Sequence, residues 1–239
     1  MIHKWVAKVR YWLARLRTRN NFSYRGLKLK VDEGVLNPTA FRASFTFASA
    51  ALRQVGDRSG PVLELGCGCG LASVLLARAG FEVTAVDLNQ KAVANTLANA
   101  TANKLQLEVL CSDWDEQLGD RQFDYVITNP PFLARKPDRM MRALYAGDQL
   151  AVLQACLAAV NRRLAPQGQA LILTSSLTGR ADFLALLAAN GLCVKSGSQS
   201  GNLNERLYID IVGHTEPPII TGGHHSVVPN KRVGVREST

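Results

Sequence analysis

The sequence predicts an α/β fold, a doubly wound and mostly parallel sheet with one antiparallel strand. Short apolar segments alternate with helix-length segments from Pro61 onward, a pattern typical of a parallel sheet covered by helices. A glycine run follows the first apolar segment, at a position where open α/β sheets bind ligands. The last two apolar segments are joined only by the polar stretch 196–205, which favours an antiparallel strand at the end of the sheet.

The individual elements follow from apolar periodicity and its interruptions. Pro166 with Gly168, and later Gly191, mark the ends of two helices because these residue types terminate helical segments. The predicted strands cover residues 62–65, 81–86, 105–110, 123–128, 170–174, 193–195 and 207–212. The predicted helices cover residues 71–79, 90–102, 150–164 and 181–190.

Composition and charge divide the chain into three predicted parts. Residues 32–212 form the main domain, since 239 residues with 47% hydrophobic content can bury one sizeable core. Residues 213–239 are rich in proline, glycine and polar residues and are expected to be a flexible tail. No run of eighteen apolar residues predicts a membrane span, and the basic N-terminus does not fit a secretory signal. The five cysteines lack metal-ligand spacing, so we expect free thiols in the cytoplasm and no metal site.

Residues 1–31 hold nine basic residues and no acidic one, which equals the net charge of +9 for the whole chain. Within them, residues 2–17 have the spacing of an amphipathic helix, with Trp5 and Trp12 on its apolar face. Such a helix can pack on its own domain, face a nucleic acid, or lie on an anionic membrane surface. The sequence leaves these three alternatives open.

The candidate cofactor site begins at the first core strand, where Glu64 is followed by Gly66, Gly68 and Gly70. Glycine at every second position lets the backbone turn sharply and approach a ligand closely. The spacing differs from the dinucleotide fingerprint, which brings a helix N-terminus to a pyrophosphate. A nicotinamide oxidoreductase is therefore disfavoured.

Acidic residues follow the next two strands. Asp87 ends the second strand, twenty-one residues after Gly66, where a carboxylate can accept both hydroxyls of a ribose. Asp113 follows the third strand and can accept from an adenine amino group, while Trp114 stacks on the base; a helix-capping role is the alternative for Asp113. We include Leu88, next to Asp87, in the candidate cofactor-binding set.

The candidate catalytic residues Asn129, Pro130, Pro131 and Phe132 come directly after the fourth strand. Two consecutive prolines fix the backbone and remove two donors, so a rigid turn is expected. The Asn129 side-chain oxygen and the Pro130 carbonyl can then accept both protons of one NH2 group, while Phe132 offers a flat stacking face. We also place Asn129 in the cofactor-binding set.

These motifs, in this order, resemble those of the class I, Rossmann-like methyltransferases that use S-adenosyl-L-methionine. The resemblance implies that Glu64 and the glycines border the methionine part of the cofactor, Asp87 the ribose, and Asp113 with Trp114 the adenine. The tetrapeptide 129–132 looks like the signature of enzymes that methylate adenine, guanine or glutamine nitrogens. Residues 26–38, Gly147 with Asp148, and residues 173–178 are similar to the release-factor glutamine methyltransferases, in particular their archaeal and eukaryotic branch.

Two features depart from the glutamine enzymes. They generally have Tyr where this chain has Phe132, and Phe there is common among ribosomal RNA guanine methyltransferases; the basic N-terminal helix is also unexpected. The resemblance implies a protein glutamine as the acceptor, and the two departures leave an RNA nucleobase amine as the alternative. A third alternative is a small-molecule N-methyltransferase that Trp5 and Trp12 hold at a membrane surface. A binding module without catalysis is disfavoured by the intact motifs, and no residue indicates a partner subunit.

Overall fold

A seven-stranded sheet is the centre of the computed structural model, which describes residues 18–56, 59–131, 150–201 and 205–215. Its strands are β3 (Val62–Leu65), β4 (Val83–Asp87), β5 (Glu108–Cys111), β6 (Phe123–Thr128), β7 (Leu164–Ser175), β8 (Leu192–Gly201) and β9 (Arg206–His214). They lie in the order β5-β4-β3-β6-β7-β9-β8. Only β9 runs opposite to its neighbours β7 and β8, so the predicted mostly parallel, doubly wound sheet is confirmed.

Helices cover both faces of this sheet. They are α1 (Arg42–Val55), α2 (Leu71–Arg78), α3 (Gln90–Ala102), α4 (Ala151–Arg163) and α5 (Arg180–Ala189). Side chains alternate across each strand, so Val62 packs with α1 and α2 in one apolar cluster while Leu63 packs with α4 and α5 in the other. The strands lie between the two clusters, and this packing on both faces fixes the position of their carboxyl ends.

A two-stranded hairpin precedes the sheet. Its antiparallel strands are β1 (Asn21–Tyr24) and β2 (Leu27–Lys30). Leu27 and Leu29 are buried in the same cluster as α1 and α2, whereas Lys28 and Lys30 are exposed. The hairpin is therefore packed onto the main domain through one face, to which Phe22 and Tyr24 of β1 also contribute.

The structure differs from the predicted elements in several places, and β7 begins at Leu164 rather than at residue 170. The hairpin and α1 were not predicted. The stretch 196–205 was interpreted as a connection, but β8 continues through it to Gly201 as an exposed edge strand. The antiparallel strand β9 lies one position inside the sheet edge rather than at the edge, because β8 pairs on its outer side.

Several predictions fall partly or wholly on residues outside the described ranges. These are the amphipathic helix 2–17, the tail beyond residue 215, Phe132, and Gly147 with Asp148. The boundaries 1–31, 32–212 and 213–239 stay predictions. In the described part of the chain no helix is long and apolar enough to cross a membrane, and no group of His, Cys, Asp or Glu there could hold a metal ion. All five cysteines are free.

Candidate functional site

The glycine loop after β3 has two kinds of glycine. Gly66, Gly68 and Gly70 all have positive φ, at 80°, 59° and 78°, a region that other residues rarely adopt. A Cβ added to Gly66 or Gly68 would meet nothing within 4 Å, whereas one on Gly70 would lie 2.6 Å from the Thr96 methyl group. The first two glycines therefore border open space that a ligand can fill, and the third permits close packing of the loop against α3.

Asp87, the last residue of β4, binds the backbone of this loop. Its Oδ2 accepts a hydrogen bond from the Gly68 amide at 2.9 Å, and its Oδ1 accepts one from the Asn89 amide at 2.9 Å. Burial raises the pKa of the Asp87 carboxyl above its usual value. The next residue, Leu88, is 69% exposed. Its apolar side chain therefore lies in solvent next to the carboxylate, where the flat ring of a ligand could pack on it.

Glu64 belongs to β3 and binds the first turn of α2. Its Oε2 accepts from the Ser73 amide at 2.8 Å and from the Ser73 hydroxyl. Ser73 is the third residue of α2, whose amide has no partner within the helix. Glu64 is only 4% exposed, and burial raises its pKa to about 8. The described contacts therefore assign Glu64 a capping role, and contact with a ligand stays a prediction.

The loop after β5 brings Asp113 and Trp114 beside the same edge. The Ser112 amide donates to the Asp87 carbonyl at 3.0 Å, which ties the two loops together. Asp113 is exposed, while Trp114 has a φ of 48° and packs partly against the α4 and α5 cluster. Asp115, which was not predicted as a site residue, is buried and accepts hydrogen bonds from Arg162 and Arg163 of α4 at 2.6–3.0 Å.

Asn129 stands at the end of β6, next to β3. The Thr128 hydroxyl donates to the Leu65 carbonyl at 3.0 Å, which joins the ends of the two strands. In the part of the chain that the structure describes, the Asn129 side-chain oxygen is the one buried side-chain oxygen or nitrogen without a hydrogen-bond partner. Leaving such an acceptor unpaired costs about 1–3 kcal/mol. A donor from a bound molecule would remove that penalty. Pro130 is buried and Pro131 half-buried.

Strand pairing brings the predicted site residues to one edge of the sheet. Leu65 is in register with Val86 of β4 and with Thr128 of β6, and Asp87 is in register with Cys111 of β5. Neighbouring strands are about 4.8 Å apart. The loops carrying Asp113, Asp87, the glycines and Asn129 therefore follow one another along roughly 15 Å of this edge, across four adjacent strands.

The family model that matches this chain and the relatives described below are all methyltransferases. Residues 41–190 match a family model described as the methyltransferase small domain. A release factor glutamine methyltransferase of Shewanella oneidensis is 36% identical over 119 residues, which cover 48% of this chain and 40% of that protein. A tRNA1(Val) (adenine(37)-N6)-methyltransferase of Shewanella halifaxensis is 33% identical over 117 residues, which cover 46% of this chain and 48% of that protein. The chain thus spans about half the length of these curated relatives.

Solved structures share the fold. A 16S rRNA N2 methyltransferase of Thermus thermophilus, in complex with AdoMet and guanosine, superposes with a TM-score of 0.59 at 23% identity, covering 82% of this chain and 50% of that one. A ribosomal protein L11 methylase of Lactobacillus delbrueckii superposes with a TM-score of 0.61 at 16% identity, covering 79% and 86%. At identities of 23% and 16%, these superpositions show a shared fold and nothing finer.

Proposed function

We infer the function from one premise: the chain belongs to the methyltransferase small domain family. We propose that it transfers a methyl group from S-adenosyl-L-methionine to a planar nitrogen. The observation that carries this proposal is the buried, unpaired Asn129 oxygen at the end of β6, beside the glycine loop. An N–H group is a donor that this acceptor can bind, and a nitrogen with two hydrogens can donate to the neighbouring Pro130 carbonyl as well.

The residues present fit S-adenosyl-L-methionine. Open space above Gly66 and Gly68, the Asp87 carboxylate and the exposed Leu88 lie along one edge. Asp87 would accept from the ribose hydroxyls, Leu88 and Trp114 would contact the adenine faces, and Asp113 would accept from its amino group. The bound cofactor supplies an electrophilic methyl group on a positively charged sulfur.

The chain's own contribution is to place and orient the acceptor nitrogen. The Asn129 oxygen and the Pro130 carbonyl accept its two N–H hydrogens and direct its lone pair toward the methyl carbon. As the new N–C bond forms, the C–S bond breaks and its electron pair stays on sulfur. The nitrogen becomes positively charged, which strengthens both hydrogen bonds before one proton leaves to water. No strong base is needed.

We propose a protein glutamine amide as the acceptor. The relatives called release factor glutamine methyltransferases support this choice. An RNA nucleobase amine is the second candidate, supported by a relative called a tRNA adenine methyltransferase and by the nine cations of residues 1–31. In the described part of that segment, Arg25, Lys28 and Lys30 are exposed.

The test is transfer of radiolabelled methyl into an extract of cells that lack the protein. Label is separated into protein, RNA and small-molecule fractions, before and after protease or ribonuclease treatment. We expect label in a protease-sensitive fraction that yields N-methylglutamine on digestion. Label in RNA favours the nucleobase candidate, and label in lipid-soluble molecules favours the membrane alternative. Absence of label from every fraction, with a folded protein, contradicts the proposed function.

A further inference from the structure

Two asparagines of α3 and the asparagine that caps its C-terminus bind the free edge of hairpin strand β2 and the residue two positions beyond it. Asn95, Asn99 and Asn103 recur every fourth residue, and their side-chain oxygens accept from the amides of Asp32, Lys30 and Lys28 at 2.8–3.0 Å. Four residues of helix rise about 6.0 Å and two residues of strand about 6.6 Å. The two spacings match closely enough for one helix face to pair with successive amides of a strand.

Asn99 differs from the other two because it also contacts the glycine loop. Its Nδ2 donates to the Lys30 carbonyl at 2.8 Å and to the Cys69 carbonyl at 2.8 Å. Asn99 is 2% exposed, and these bonds use its oxygen and both amide hydrogens. One buried amide thus connects the hairpin directly to the loop between Gly68 and Gly70.

The other bonds of the loop show what this contact fixes. The Gly68 amide donates to Asp87 at 2.9 Å, and the Gly68 carbonyl accepts from the Thr96 hydroxyl at 3.1 Å. Thr96 and Asn99 are on the same helix, so α3 binds two successive carbonyls of the loop. Those carbonyls therefore point toward α3, which keeps them from the open space bordered by Gly66 and Gly68.

We propose that Asn99 is a positioning residue for the cofactor: it couples the hairpin to the glycine loop and holds the loop in its ligand-ready conformation. The identity of that cofactor rests on the proposed function. The hairpin therefore supports the cofactor site through Asn99, although neither of its strands belongs to the main sheet. Loss of Asn99 should weaken cofactor binding while the rate at saturating cofactor stays unchanged.

The test compares Asn99→Ala with Asn103→Ala in the full chain. Asn103 makes the same paired contact with Lys28 but does not contact the loop, so it controls for loss of hairpin packing. We expect Asn99→Ala to raise the Kd for S-adenosylhomocysteine and the KM for S-adenosylmethionine about tenfold, the equivalent of one net hydrogen bond. Asn103→Ala should stay within about twofold, and kcat should be unchanged in both.

A second measurement does not depend on the cofactor. The Gly70 amide donates to the Cys67 carbonyl at 2.9 Å, and its hydrogen exchange reports opening of the loop. Exchange should be faster in Asn99→Ala than in Asn103→Ala. If Asn99→Ala does not fold, Asn99→Ser replaces it, because this neutral and shorter side chain cannot reach both the Lys30 and the Cys69 carbonyls. Equal Kd and equal exchange in the two alanine variants would overturn the proposal. A wild-type chain that binds no cofactor contradicts the proposed function, and Gly70 exchange still decides the positioning role.

Discussion

The Asp87 carboxylate and the Gly68 amide are joined by a 2.9 Å hydrogen bond across the carboxyl edge of the sheet. Two residues that the sequence assigned separately to cofactor binding are thus one structural unit. A substitution at Asp87 removes a restraint on the loop and, on the proposed function, a cofactor contact as well.

Asp87→Ala should lower the affinity for S-adenosylmethionine at least tenfold. Hydrogen bonds to a charged group contribute about 1.5–3 kcal/mol, and the variant loses those to the loop as well as those to the ligand. Isothermal titration calorimetry measures the change. Asp120→Ala, at an exposed position away from this edge, is the control. Equal affinities of the two variants would contradict the assignment of Asp87.

Gly66→Ala should prevent cofactor binding without unfolding the protein. The new methyl group enters the open space above the loop and makes no contact there with the protein. The backbone penalty of a positive φ, about 1 kcal/mol, is shared by Gly80→Ala, where φ is 94° and the surroundings are also open. Thermal unfolding should therefore shift similarly in both variants. Cofactor binding should be lost in Gly66→Ala and kept in Gly80→Ala, and wild-type affinity in Gly66→Ala would refute this function of the loop.

Glu64→Gln should change how stability depends on pH. Burial raises the pKa of Glu64 to about 8 from its ordinary value of 4.5, so between these values the folded protein holds a proton that the unfolded chain releases. The wild-type free energy of unfolding should therefore fall with rising pH relative to Glu64→Gln, by at most about 1.4 kcal/mol per pH unit. Urea unfolding from pH 5 to pH 9 tests this. Parallel curves for the two proteins would show that Glu64 is ionised in the folded state.

Asp115→Asn should destabilise the loop that carries Asp113 and Trp114. Asp115 is buried and accepts from two arginines of α4, and neutral Asn leaves both guanidinium groups without their countercharge. We expect a loss of about 2 kcal/mol in the free energy of unfolding, within the range for charged hydrogen bonds. Glu116→Gln, at the exposed neighbouring position, should change it by less than about 0.5 kcal/mol. Equal losses would show that the arginine contacts do not stabilise the loop.

The parts of the fold that the sequence predicted are those with strong apolar signals. Strands β3 and β6 have continuous buried runs, and both were predicted with the bounds the structure shows. The edge strand β8 is exposed from Lys195 onward, so nothing apolar marked its length. Helix α1 buries mainly alanines, which give weak periodicity. The alternation Leu27, Lys28, Leu29, Lys30 was a usable strand signal that the prediction did not include.

The same contrast applies to the site. The placement of Asp87 and Asn129 along one edge was predictable because parallel strands bring their carboxyl ends together, and their roles toward a ligand stay predictions. Thr96, Asn99 and Asp115 act through contacts with residues distant in sequence, and a single sequence does not show those contacts. The four-residue repeat of Asn95, Asn99 and Asn103 was visible, yet only the structure places β2 opposite it.

The most direct test of the role of Asn129 is the effect of Asn129→Ala on methyl transfer compared with its effect on cofactor binding. The measurement is the rate of label transfer at saturating S-adenosylmethionine, into whichever fraction the wild type labels, together with the Kd for S-adenosylhomocysteine. Asn21→Ala, at an exposed position in β1, is the control. If Asn129 positions the acceptor nitrogen, its loss lowers the rate about 10²–10³-fold and changes the Kd less than about threefold, at the low end for one net hydrogen bond. A larger rise in the Kd would indicate the contact between Asn129 and the cofactor that the sequence also predicts. A rate like that of the wild type would contradict the central claim.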